Sequence, residues 1–144
     1  NPTPELESKL GLAEVRMGKV SQGLHHLWRA VANEPQKEPN HDRLISVLVA
    51  LNRLPEAAEA AERKLELVAP APRHYVRAAA IHARLGQWER AGRLLQAALE
   101  RFPEAGELRS ALAGVRAEPD QTKEPTGPSG EAIGRTAAQS AESV

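Results

Sequence analysis

Apolar residues recur along this chain at intervals of three and four, in blocks separated by glycine, asparagine or proline. The first block is Leu6, Leu10, Ala13 and Met17, a spacing that lines one face of a helix. Thr3 and Pro4 precede it, threonine as N-cap and proline at the first helical position, where its missing N–H would have no partner in any case. Gly18 breaks the block, and Val20, Leu24, Leu27, Ala30 and Val31 form a second that stops before Pro35. Two amphipathic helices around a short turn make a hairpin. A second hairpin starts near Asn40 with Leu44, Val47, Leu48 and Leu51, turns at Asn52 and Arg53, and resumes with Pro55 in a first helical turn followed by Ala57, Ala58, Ala61 and Leu65. The third runs from Pro72 through Tyr75, Ala78, Ala79, Ile81, His82 and Leu85 to Gly86, then through Trp88, Ala91, Leu95 and Leu99 to Pro103.

The three hairpins share one register. Leu10, Leu44 and Ala78 are 34 residues apart, as are Gly18, Asn52 and Gly86, and Gly23, Ala57 and Ala91. A fixed period of this length marks a solenoid in which each repeat is one supersecondary unit stacked on the next. The pattern predicts an all-α fold of three helix-turn-helix repeats, about 4–37, 38–71 and 72–105, within a domain spanning 3–118. A seventh, capping helix over 105–118 keeps the register through Leu112 and Val115 and covers the open flank of the last hairpin. Glu14 occupies the repeat position of Leu48 and His82, and a carboxylate there predicts that the first hairpin is the outer end of the array. Residues 119–144 turn rich in proline, glycine, serine and threonine; too little apolar surface is available to offset ordering entropy, so a disordered tail is expected.

Composition narrows the picture. Aromatic residues make up only 3% of the chain against 41% apolar overall, so the core consists of Leu, Ala, Val and Ile, which suits closely packed helices. Nineteen acidic and nineteen basic residues balance, so nothing global points to nucleic acid or an anionic membrane. With no cysteine there is no disulfide or thiolate chemistry, and cytoplasm and periplasm are both compatible. No apolar run approaches the ~20 residues that cross a bilayer. The histidines lack metal-ligand spacing, and no nucleophile triad or phosphate loop is present, so neither catalysis nor a cofactor is expected. Trp28 and Trp88 are expected to pack rather than to stack bases, because no basic stripe is interleaved with them.

The hairpins resemble tetratricopeptide repeats, units of 34 residues built as helix, turn, helix. The residues that carry the resemblance are Leu10-Gly11, Leu44-Ile45 and Ala78-Ala79 in the first helices, the turn residues Gly18, Asn52 and Gly86, and the small residues Gly23, Ala57 and Ala91 early in the second helices. Ala30 with Pro35 and Ala98 with Pro103 complete the first and third copies. Lys64 stands where alanine is usual and Ile45 where a small residue is usual, which predicts looser packing in the middle hairpin. The resemblance implies a right-handed α-solenoid whose first helices line a concave groove that holds an extended peptide or a partner helix.

On those helices Lys9, Arg43 and Arg77 share one repeat position, and Arg73, Arg77 and Arg84 share one helix face, with Arg16 beside the row. Arginine meets carboxylates in bidentate fashion, so these six residues are the expected contacts for an acidic peptide or tail. The competing expectation is that they are ordinary solvated ions, paired with Glu5, Asp42 or other neighbours. Chaperone-binding members of the family use a carboxylate clamp. Arg73 and Arg77 match two of its positions, whereas Ser8, Leu12 and Arg43 replace the expected lysine and two asparagines. The expected function is a non-catalytic interaction module or scaffold; the alternative is an assembly or homo-oligomerisation role in a larger protein or complex.

Overall fold

The computed structural model describes residues 3–126, with side chains from 3 to 117. Among these residues the chain is helical throughout, in seven α-helices and no strand: α1 (Pro4–Arg16), α2 (Val20–Asn33), α3 (Glu38–Ala50), α4 (Leu54–Leu67), α5 (Pro72–Arg84), α6 (Trp88–Arg101) and α7 (Gly106–Thr126). Leading helices α1, α3, α5 and α7 begin 34 residues apart, and so do the following helices α2, α4 and α6. Thr3 caps α1 as expected, its Oγ1 accepting from the Leu6 N–H at 3.2 Å. α3 begins at Glu38, earlier than its apolar pattern marks, because a proline at residue 39 is tolerated in a first turn.

Each leading helix ends in the same device. Gly18, Asn52 and Gly86 have φ of 88°, 58° and 78°, the left-handed conformation that closes a helix. In the first turn the Lys19 N–H donates to the Glu14 carbonyl and the Gly18 N–H to Val15; Arg53 to Leu48 with Asn52 to Val49, and Gln87 to His82 with Gly86 to Ala83, repeat it. These paired bonds satisfy carbonyls that the helix end would leave open, and they aim the following helix back along the leading one.

Small residues set the distance between the two helices of a hairpin. A methyl group on Gly11 would lie 2.6 Å from the Gly23 carbonyl oxygen, and one on Gly23 would lie 2.5 Å from the Gly11 oxygen, so α1 and α2 touch backbone to backbone. Ala57, Ala91 and Ala98 fill comparable joints and are fully buried. The core lies in two clusters along the stack, with partly buried Leu94 packed against both: Leu27, Leu44, Ile45 and Leu48 anchor the first, and Leu95, Leu108 and Leu112 join α5, α6 and α7 in the second. Leu108 and Leu112 thus give α7 its hold on the last hairpin.

Two expectations are corrected. The stripe Leu6, Leu10, Ala13 and Met17 does not face the core: Leu6, Leu10 and Met17 are 57%, 45% and 67% exposed, and Ala13 is exposed too. What α1 buries is Glu7, Ser8 and Gly11. The positions equivalent to the stripe in later repeats are covered by the hairpin before them, and α1 has no such hairpin among the described residues. The last helix also runs to Thr126, beyond the boundary that composition sets at Glu118. Gln121, Lys123 and Glu124 are adequate helix formers, whereas Pro119 and Pro125 have no N–H to donate, so the helix continues there with fewer backbone bonds. Residues 127–144 of the expected tail lie outside the described residues.

Candidate functional site

Three of the cations singled out, Arg43, Arg73 and Arg77, are held by the leading helix before their own. Arg43 of α3 donates from Nη1 to Ser8 Oγ of α1 at 2.8 Å and to Asn40 Oδ1 at 3.2 Å. Arg77 of α5 stands one repeat further on and reaches the equivalent place on α3, with Asp42 Oδ1 at 3.5 Å and Ser46 Oγ at 2.8 Å. Arg73 pairs with Glu38 at 3.0 Å. Lys9 has Glu5 of its own helix at 3.3 Å. Arg16 and Arg84, in the last turns of α1 and α5, are exposed and form no ion pair or side-chain hydrogen bond among the described residues.

Sequence position alone does not distinguish these cations, but their partners do. Lys9, Arg73 and Arg77 each have a carboxylate within 3.5 Å. Arg43 has only a hydroxyl and an amide, because residue 8 is serine where residue 42, its counterpart one repeat on, is aspartate. Arg43, Arg16 and Arg84 therefore retain charge that an incoming anion can meet. Around them the leading helices expose small side chains, Ser46, Ala50 and Ala80, which leave room for a backbone.

Sequence reasoning named Asp42 as a partner of these cations but missed Glu38 and the buried lysine that joins the two acids. Glu38 and Asp42 lie one turn apart on α3, and Lys64 of α4, almost fully buried, donates to Asp42 and lies 3.8 Å from Glu38. Asp42 is thus shared by Lys64 and Arg77, and Glu38 by Lys64 and Arg73. The signal was in the sequence: a lysine replaces the usual alanine, and a buried ammonium requires a carboxylate. His74 is also buried, with Glu38 at 3.8 Å; burial first, then the charge of Lys64, hold its pKa below the ordinary histidine value. Burial likewise lowers His41, whose Nε2–H donates to the Pro35 carbonyl at 2.7 Å.

Several other polar side chains tie neighbouring helices together. His82 fills the slot of Leu48, but with polar partners: Glu62 and Gln87, each at 2.8 Å. Glu62 also binds Arg90. His26 meets Glu14 at 2.6 Å. Trp28 is half-buried, with the Arg63 guanidinium 5.5 Å above its ring. The depressions on the surface are open. One of about 410 Å³ is lined by Glu59, Glu62, His82 and Arg90, and another of about 550 Å³ by Trp88, Gly92 and Val115 between α6 and α7. No group of three or more metal-ligating side chains occurs among the described residues, and none of their helices is long and apolar enough to cross a membrane.

No protein-family model matches this chain, and no curated protein does. Solved structures do. MamA of strain MSR-1 is 22% identical with a TM-score of 0.59, over 84% of this chain and 70% of that one. The first tetratricopeptide domain of Spaghetti (RPAP3), bound to the HSP90 peptide SRMEEVD, is 16% identical with a TM-score of 0.60, over 81% and 92%. A tetratricopeptide repeat protein from Parabacteroides merdae ATCC 43184 is 18% identical with a TM-score of 0.62, over 83% and 48%. With seven helices in 34-residue register, this chain has the tetratricopeptide-repeat fold. Identities this low establish architecture alone.

Proposed function

We propose that this chain is a non-catalytic protein-interaction module that takes an acidic segment of a partner along its leading helices. Arg43, Arg16 and Arg84 are the primary contacts; Lys9, Arg73 and Arg77 border them. The observation that carries this reading is the unequal pairing of the cations: Arg43 is fixed by Ser8 and Asn40 and lacks a carboxylate. A half-buried guanidinium held in place by neutral partners is preorganised for a bidentate acid. A domain of the same fold holding a peptide that contains Glu-Glu and Asp is a precedent for acidic ligands on this architecture. Ser8 and Leu12 at two clamp positions make a terminal-carboxylate clamp the less suitable geometry here.

The test is an array of acidic peptides of about ten residues beside their Glu→Gln counterparts, titrated at two salt concentrations. The acidic set is expected to bind, more weakly at high salt. Arg43→Ala with Arg84→Ala should weaken binding by about tenfold or more, the loss of one or two charge-assisted bonds. Arg73→Ala should change it little. Equal capture of the neutral peptides would end the proposal. The second reading, an assembly role, is favoured by one observation, the exposed apolar stripe of α1.

A further inference from the structure

Three of the four large apolar side chains that the described residues expose lie on one face of α1: Leu6, Leu10 and Met17, with exposed Ala13 completing intervals of four, three and four. That interval is the seam of one helix packed along another. Counting 34 onward gives Leu44, Ala78 and Leu112 for Leu10, all buried, and Asn40, His74 and Leu108 for Leu6, all buried. Val47 and Ile81, the counterparts of Ala13, are buried as well. In each later repeat the covering surface is the preceding hairpin.

We propose that the outer face of α1 is a stacking interface for one more helical hairpin of the same 34-residue build, its leading helix lying beside α1 as α1 lies beside α3. The polar contacts continue the series that the apolar ones begin. Arg43 binds Ser8 and Arg77 binds Asp42, in each case a residue 35 positions earlier on the previous leading helix. Lys9 is the third member of that series and has only Glu5 of its own helix. The occupant therefore carries a hydroxyl or carboxylate opposite Lys9 and apolar side chains opposite Leu6, Leu10 and Met17. Glu14 does not oppose stacking, because it is turned toward α2 and bound to His26.

A second copy of the chain fits this face poorly. Its far end is covered by α7, which exposes no large apolar side chain among the described residues. Two α1 stripes paired antiparallel, Leu6 over Met17, would bring Lys9 of one copy near Arg16 of the other, like charge to like.

The experiment joins a duplicate of residues 38–71 directly ahead of Pro4. The new Ala71–Pro4 junction reproduces the natural Ala71–Pro72 junction, and Asp42 of the added hairpin then faces Lys9 as Asp42 faces Arg77. The extended protein should melt higher than the 144-residue chain, by about 5 °C or more. Leu10→Glu should remove most of that gain while shifting the original chain little. No gain, or an equal effect of Leu10→Glu in both proteins, overturns the proposal. So does a dimer of the original chain in sedimentation that Leu10→Glu dissolves, which would assign the face to a second copy.

Discussion

Glu38 and Asp42 show how single residues determine what the cations around them can do. Each carboxylate takes one cation from the interior, Lys64, and one from the leading-helix face, Arg73 or Arg77. Serine at residue 8 withholds the same partner from Arg43. His74 is enclosed by the same group, with Glu38 and Asp42 raising its pKa and burial, Lys64 and Arg73 lowering it; the lowering prevails. A histidine whose folded pKa is depressed is neutral when folded and binds protons more readily unfolded. Its contribution to stability is therefore complete above the ordinary value of 6.5 and is lost as pH falls through that value toward the folded pKa. His41 acts in the same direction. Melting temperature should accordingly fall on acidification from pH 7.5 to 5.5, and His74→Leu, the residue that α7 carries at this position, should reduce the slope. An unchanged slope would show that His74 is not what titrates.

At the scale of elements, the joint between the two helices of a hairpin sets the sign of a glycine substitution. Gly23→Ala places a methyl 2.5 Å from the Gly11 oxygen and from Val15 Cγ2, so α2 must move off α1; a loss of about 1–3 kcal/mol is expected in denaturant unfolding. Gly92→Ala meets only Val115 at 3.9 Å and Leu112 at 4.0 Å, ordinary contact. There the gain in helix propensity prevails, by about 0.5–1 kcal/mol. If both variants moved in the same direction, the close approach at Gly11 and Gly23 would not be what spaces the first hairpin. The turns were legible in advance, because left-handed closure favours glycine or asparagine and these recur at Gly18, Asn52 and Gly86. The joints were legible as small residues. The cations were legible as a row, and Glu5 and Asp42 as partners of Lys9 and Arg77, but the partner of Arg43 was not, since Ser8 and Arg43 lie 35 residues apart and only stacking brings them together.

The whole molecule is a one-dimensional stack, so the worth of a residue depends on its place in the row as much as on its type. Leu112 and Leu10 hold the same repeat position; the first is 6% exposed between α7 and the last hairpin, the second 45% exposed. Leu112→Ala should cost about 2–5 kcal/mol, a large share of the ~5–15 kcal/mol that holds a domain of this size, and Leu10→Ala should cost well under half as much. Equal costs from equilibrium unfolding would mean that the two faces are covered alike.

The number of helices, their turns and their 34-residue register were fixed locally, by hydrophobic period, proline placement and the conformational freedom of three turn residues. Those signals act within a few residues of chain and need no partner to be read. Which apolar stripe is covered, and which arginine keeps its charge available, was decided by the stack. Leu6, Leu10 and Met17 read as core because their counterparts are core, and they are exposed because burial is conferred by the neighbouring repeat, not by the helix that carries the side chain.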